Sequence, residues 1–125
     1  MNNVTELVDR YIQMCNETDR ARRQELIAGL WTETCTFADP MGQAEGQAGL
    51  DAMAQGLQDQ FPGLKVRRIS DVDAHHNRFR FAWEFGPEGG GALAGGVDFG
   101  VIVDNRLASI TGFFDFAPEL AAGHQ

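Results

Sequence analysis

Tyr11, Asp39 and Asp98 have the strongest capacity for chemistry in this sequence, because each stands among residues that build an apolar interior. Tyr11 falls on the apolar stripe of a first helix, Asp39 follows the strand-like Thr36-Phe37-Ala38, and Asp98 interrupts an apolar strand. A carboxyl set among apolar neighbours is costly as an anion, so its pKa rises unless a partner holds it. Two such carboxyls and a phenol are the raw material for moving a proton without a metal or a cofactor. Each also has a structural reading. Asp before Pro is common turn chemistry, a tyrosine on a helix stripe can be a core residue with a satisfied hydroxyl, and Asp98 can be held by a buried hydrogen bond. An acid inside an apolar strand still needs a reason, and a pocket supplies one.

The elements that must position these residues are legible from periodicity. Val4, Leu7, Val8, Tyr11, Ile12 and Cys15 fall at helical spacing, with Asn3 and Glu6 arranged as a capping box. Asn16-Glu17-Thr18-Asp19 breaks that helix and Asp19 can cap the next, whose apolar stripe is Leu26, Ile27, Leu30 and Trp31. A short strand over 35–38 leads into the turn Asp39-Pro40-Met41-Gly42. A third helix over 47–61 carries Leu50, Met53, Ala54, Leu57 and Phe61, and Pro62-Gly63 stops it.

From Leu64 onward the period changes to two. Strands are predicted over 66–72, 77–85, 93–103 and 106–116, the last two joined by the two-residue turn Asp104-Asn105. Phe79, Phe81, Trp83 and Phe85 share one face, while Arg78, Arg80 and Glu84 take the other. Asp98 shares its face with Gly100 and Ile102, and Gly100 leaves room for a ligand. The expected fold class is α+β, one domain over residues 1–125 with its core at about 3–117. Helices cover one face of a mainly antiparallel sheet that curls around a pocket, with glycines at 95, 96, 100 and 112 permitting the bends. The tail after Pro118 is expected to fray.

Composition excludes several function classes. The 10 basic and 18 acidic residues give a net charge of −8, which disfavours nucleic acid and anionic membranes as partners. Arg20, Arg22, Arg23, Lys65, Arg67 and Arg68 alternate with acids and read as solvated faces. No apolar run approaches a membrane span and no signal-like segment opens the sequence, so a cytoplasmic setting is expected. Cys15 and Cys35 match no metal spacing and read as packed, reduced thiols. His75-His76 reads as a tight turn with exposed imidazoles, because adjacent strand positions face opposite ways and no third ligand is suitably spaced. His124 belongs to the tail. No Ser-His-Asp order, phosphate-binding glycine loop or thiolate nucleophile stands out, and neither a metal nor a cofactor is expected.

The order helix, helix, short strand, Asp-Pro turn, helix and four strands resembles the nuclear transport factor 2-like superfamily of cone-shaped α+β barrels, over about residues 3 to 117. Within it the chain is similar to the SnoaL-like proteins and the ketosteroid isomerases. The local matches are Arg10-Tyr11-Ile12 followed by Asn16, then Leu30-Trp31 through Phe37-Ala38-Asp39-Pro40-Met41-Gly42, and Val97-Asp98-Phe99.

The isomerase resemblance implies that Asp39 is the proton-shuttling base, that Tyr11 is the phenol of the oxyanion hole, and that Asp98 is the carboxyl kept protonated to give a second hydrogen bond. Ketosteroid isomerase is itself the reference case for that tuning. The resemblance further implies that Phe79, Phe81, Trp83 and Phe114 wall a pocket for a flat hydrophobic substrate, with Met53 and Leu57 lining it. Physical reasoning agrees in part: proton abstraction beside a carbonyl needs a base near the carbon and donors aimed at the oxygen.

Met41 also suits an adaptable cavity lining. The SnoaL-like cyclases match equally well in overall pattern, and there Asp115 could be the acid/base group, although strand parity sets it opposite Phe114. The expectation is thus a cofactor-free isomerase or cyclase acting on a small hydrophobic carbonyl compound. The alternative is a non-catalytic ligand-binding or dimerisation module of the same fold. Phe99, with Val97 and Val101, is placed on the outward sheet face, where a homodimer would form.

Overall fold

The computed structural model describes residues 3–117, and the expectations for the tail and His124 lie outside them. Helices α1 (Val4–Asn16) and α2 (Arg20–Leu30) come first, followed by strands β1 (Trp31–Asp39) and β2 (Gly42–Glu45) and helix α3 (Gly46–Gln60). Strands β3 (Leu64–Arg68), β4 (Asp73–His75), β5 (Arg78–Pro87), β6 (Ala94–Val103) and β7 (Arg106–Phe116) complete the order. The strands form one sheet in the order β2-β1-β7-β6-β5-β3, with β4 also on β5. All pairings are antiparallel except β1 with β7, which is parallel. The sheet is strongly curled without closing, giving the cone-shaped α+β fold expected of the sequence.

Local chemistry explains the helix boundaries. Asn3 Oδ1 accepts from the Glu6 N–H at 3.1 Å and Asp19 Oδ1 from the Arg22 N–H at 3.2 Å, so each side chain satisfies an orphan donor of its helix. Asn16 closes α1 by pairing with Val66 in both directions, each bond 2.8 Å, and thereby pins the helix end to β3. Helix α3 ends at Gln60, and in the turn beyond it Gly63 has φ of 83°, a left-handed conformation that favours glycine. Asp104 and Asn105 both have positive φ, the two-residue turn that matches strand twist.

Several boundaries differ from the sequence reading. Trp31 begins β1 instead of ending α2, and β1 extends well before residue 35. Its early residues Thr32, Glu33 and Thr34 carry no apolar alternation, since the segment is edged by solvent on one side. Strand β3 stops at Arg68, short of residue 72, because the Ser70 hydroxyl takes the Ala82 N–H at 2.8 Å and ends the regular ladder. The pair His75-His76 does form the β4–β5 turn, with positive φ at His76 and Asn77. The two rings nonetheless lie together, Nδ1 to Nδ1 at 3.1 Å, because only His75 belongs to the strand.

Arg23 overturns the reading of the basic residues as solvated. It is fully buried and donates to Asp51 Oδ1 at 2.8 Å, to the Glu17 carbonyl at 2.7 Å and to Gln55 at 2.6 Å. The reason is helical: Arg23, Ile27 and Leu30 lie on the same buried face of α2. Arg20 and Gln24 also bond Asp51, so one carboxylate ties α2 to α3. Burial pushes the Asp51 carboxyl up, but hydrogen bonds from Gln24, Arg23 and Arg20 outweigh it and hold the group below its usual range.

Candidate functional site

Between α1, α3 and the concave face of the sheet lies a cavity of about 330 Å³, within the range typical of small-ligand sites. Its wall includes Tyr11, Asp39 and Asp98, so the curled sheet brings together three side chains from the first, middle and last parts of the described chain. Of the lining residues, Gly56 and Gln60 are the exposed ones, which puts the mouth beside the second half of α3.

Each of the three is placed by its own element. Tyr11 is buried on α1, with its ring edge-on to Trp31 at 6.0 Å and to Phe81 at 6.3 Å. Asp39 ends β1, and its Oδ1 accepts from the Met41 N–H at 2.8 Å and the Gly42 N–H at 3.1 Å. That bond pattern is the turn-capping role open to an Asp before Pro, and it fixes the carboxyl at the cavity wall.

Asp98 projects inward from β6 and is buried. Its ladder partner on β7 is Gly112. A Cβ at Gly112 would lie 2.7 Å from Asp98 Oδ1 and 3.3 Å from Asp39 Cβ, so the missing side chain lets two carboxyl-bearing residues approach across β7.

The electrostatics follow from this crowding. Burial, then the nearby Asp39, push the Asp98 carboxyl up to about 7, against the nearby donor groups of Trp83 and Tyr11, which favour its anion. Burial is also the largest influence on Tyr11, whose phenol is raised well above its usual value, with Cys15, Asp98 and Asp39 adding to the effect. Tyr11 therefore stays a neutral donor across the physiological range. The Cys15 thiol, one helical turn from Tyr11 and also in the wall, is pushed up to about 12 by burial and stays protonated.

Of the expected ligand-contacting residues, Trp83, Phe114, Met53 and Leu57 line the cavity, as does Met41. Phe79 and Phe81 are not in its wall. Phe79 packs its ring onto the bare backbone of Gly100, so the space expected for a ligand there is filled from within. Phe81 stacks on Phe79 at 6.1 Å and backs Tyr11, supporting the phenol from behind. Asp115 is exposed and lies outside the wall, as strand parity implied.

Among the lining residues that sequence reasoning missed are Met14, Phe37, Val66 and Phe85. Only Phe85 had a usable signal, its parity with Trp83 on β5. The others, on α1, β1 and β3, are set by how those elements come together around the cavity, which no local pattern records.

A family model for the SnoaL-like domain matches residues 8–110. Comparison with curated proteins gives no significant match. Among solved structures, a proposed isomerase of the SnoaL-like family from Agrobacterium tumefaciens is 32% identical, with a TM-score of 0.85 over 89% of this chain and 96% of that one. A proposed ketosteroid isomerase from Kribbella flavida has a TM-score of 0.68 at 21% identity, covering 92% of this chain and 79% of its own. A proposed SnoaL-like polyketide cyclase from Jannaschia has a TM-score of 0.67 at 16% identity, covering 89% and 86%. The last two share the fold. With the model match spanning most of the sequence and the Agrobacterium protein matching in both sequence and structure, the chain belongs to the SnoaL-like family.

Proposed function

We propose that the cavity takes up a small hydrophobic carbonyl compound and enolises it without a cofactor, as an isomerase or cyclase. The observation that carries this reading is that Tyr11, Asp39 and Asp98 share one largely apolar cavity, with Asp98 favouring its protonated form near neutrality. The Asp39 carboxylate removes a proton from the carbon next to the carbonyl. The C–H electron pair becomes the enolate double bond, and the negative charge moves to oxygen. The Tyr11 O–H and the Asp98 O–H donate to that oxygen. Where the compound carries a β,γ double bond, Asp39 returns the proton to the γ carbon of the dienolate, giving isomerisation. Where it carries a second carbonyl, the enolate carbon attacks it, the C=O π pair moves to oxygen, and that alkoxide takes the proton back from Asp39, giving ring closure. The names of the Agrobacterium and Jannaschia relatives support both outcomes.

The test uses 1-tetralone, a bicyclic ketone of suitable size, and follows exchange of its α-protons with deuterium. Asp39→Asn keeps a side-chain oxygen for the Met41 and Gly42 N–H groups, so the turn survives while the base is lost. Exchange should fall by about 10²–10⁴-fold, the usual contribution of a positioned base. Equal rates in the two proteins would remove Asp39 from the mechanism.

One observation favours a second reading, a pocket that binds without turnover: Asp39 Oδ1 is already engaged in its own turn. Tight binding of 1-tetralone with no exchange by the unmodified protein would establish that alternative.

A further inference from the structure

The cavity wall contains one polar atom that neither the fold nor the proposed chemistry uses. Trp83 Nε1 is buried and makes no hydrogen bond, the only such side-chain atom among the described residues. The other indole, Trp31, gives its N–H to Met14 Sδ at 3.3 Å. A buried donor left unsatisfied is unfavourable, and such groups in folded proteins call for an explanation.

The ladder supplies one. Trp83 pairs with Gly96 and Phe81 with Asp98, so Trp83 and Asp98 are diagonal neighbours on the same concave face of β5 and β6. Both line the cavity. Phe114 meets the indole edge-on at 5.5 Å and braces it from β7. The indole is near enough to Asp98 to favour its anion, yet stops short of hydrogen-bond geometry.

We propose that Trp83 is the positioning residue for Asp98, its Nε1–H engaging the carbonyl oxygen of the protonated carboxyl and so turning the acid's O–H toward Tyr11 and the bound ligand. The argument is one of donors and acceptors. A protonated carboxyl presents one O–H donor and one acceptor oxygen, whereas an indole N–H can only donate. Two donors cannot face each other, so Trp83 selects the acceptor oxygen and leaves the proton on the oxygen facing the cavity. The contact tightens when Asp98 loses its proton or when the ligand draws on its O–H. This inference rests on Asp98 acting as a donor in the proposed reaction, and it adds the residue that fixes the direction of donation.

The titratable groups that act on Asp98 are Tyr11 and Cys15 from α1 and Asp39 from β1. The inward positions of β7 beside it, Gly112 and Phe114, carry none. Tyr11 and Cys15 hold their protons throughout the neutral range, so only Asp39 has to be separated from Asp98 in a titration.

The experiment follows the two indole N–H resonances of the ligand-free protein from pH 5 to 9, with Trp83→Phe identifying the Trp83 signal. That signal should shift with a midpoint of about 7, where Asp98 ionises, while Trp31 stays still. The shift should persist in Asp39→Asn and vanish in Asp98→Asn. Trp83→Phe should raise the Asp98 midpoint, read from its carboxyl carbon, because a donor to the anion is lost. It should also slow 1-tetralone exchange by about tenfold, the equivalent of one ordinary hydrogen bond, with KM within about twofold. In an Asp98→Leu background the same substitution should cost nothing further.

A Trp83 signal that is flat across the range, or an equal loss with and without Asp98, overturns the proposal. Absence of exchange in the unmodified protein would defeat the enolisation reading alone, because the resonance titration needs no turnover.

Discussion

Asp98 faces Gly112 across the β6–β7 ladder, and the bare backbone at 112 is what lets the Asp98 carboxyl and Asp39 stand on either side of a single strand. A glycine here is a condition of the site, since even a methyl group would meet Asp98 Oδ1 at 2.7 Å and Asp39 Cβ at 3.3 Å.

Gly112→Ala therefore forces one carboxyl or the strand to move. The expected loss is about 1–3 kcal/mol of stability, as for other insertions into packed interiors, together with a fall in ketone exchange. Urea unfolding and the tetralone assay read the two effects separately, and an unchanged unfolding midpoint would show that the ladder opens freely at this point.

The pH dependence of stability should carry the signature of Asp98. Its carboxyl titrates near 7 in the folded protein and from 3.8 when free, so between those values the folded state holds a proton that the unfolded state has released. Stability is then lost as pH rises through this window, by an amount on the order of a few kcal/mol. Asp98→Asn should remove that slope and make the protein more stable at pH 8, as followed by urea titrations at a series of pH values. Exchange activity should decline above pH 7 as the donor proton leaves.

Asp51 works in the opposite direction. Its carboxyl is held low, so its contribution is present at neutral pH and disappears as acid protonates it. Asp51→Ala leaves Arg23 buried with its charge unmatched and should cost about 3–5 kcal/mol. A thermal melt would check this, and a small change would mean that Gln55, Gln58 and the Glu17 carbonyl satisfy the guanidinium unaided.

We also propose that a second copy of the chain covers the outward face of β6 and β7. Phe99 and Phe113 are 44% and 54% exposed there and contact each other edge-on at 5.8 Å, beside the partly exposed Val101 and Val103. A solution mass of twice 13.7 kDa is expected at micromolar concentration, reverting to one copy in Phe113→Asp. A monomer in the unmodified protein would refute the assembly.

The sequence revealed the positions whose local pattern agrees with their tertiary role. The period-two row from Phe79 to Phe85 set β5, and the same parity placed Asp98 inward beside Ile102. Tyr11 was visible as a polar atom on an apolar helix face. The sequence was silent where partners are remote or strands are polar. Arg23 resembles its solvated neighbours until Asp51 of another helix is brought to it. Strands β2 and β4 are short, at the margins of the sheet, and rich in Gln, Glu, Asp and His. Phe79 and Phe81 had the right face of the right strand, yet Gly100 accepted one ring and Tyr11 needed the other, so both are support for the pocket instead of its wall.

The parallel pairing of β1 with β7 bears on how the protein is made. The last of the described strands in chain order slots between the first strand and its own predecessor, and its Gly112 is the spacer on which Asp39 and Asp98 meet. A chain still attached to the ribosome, with β7 inside the exit tunnel, has its helices and a half-sheet but an unfilled seam down the middle. A fragment that ends before Arg106 therefore lacks both the strand that joins β1 to β6 and the glycine that lets the two acids approach.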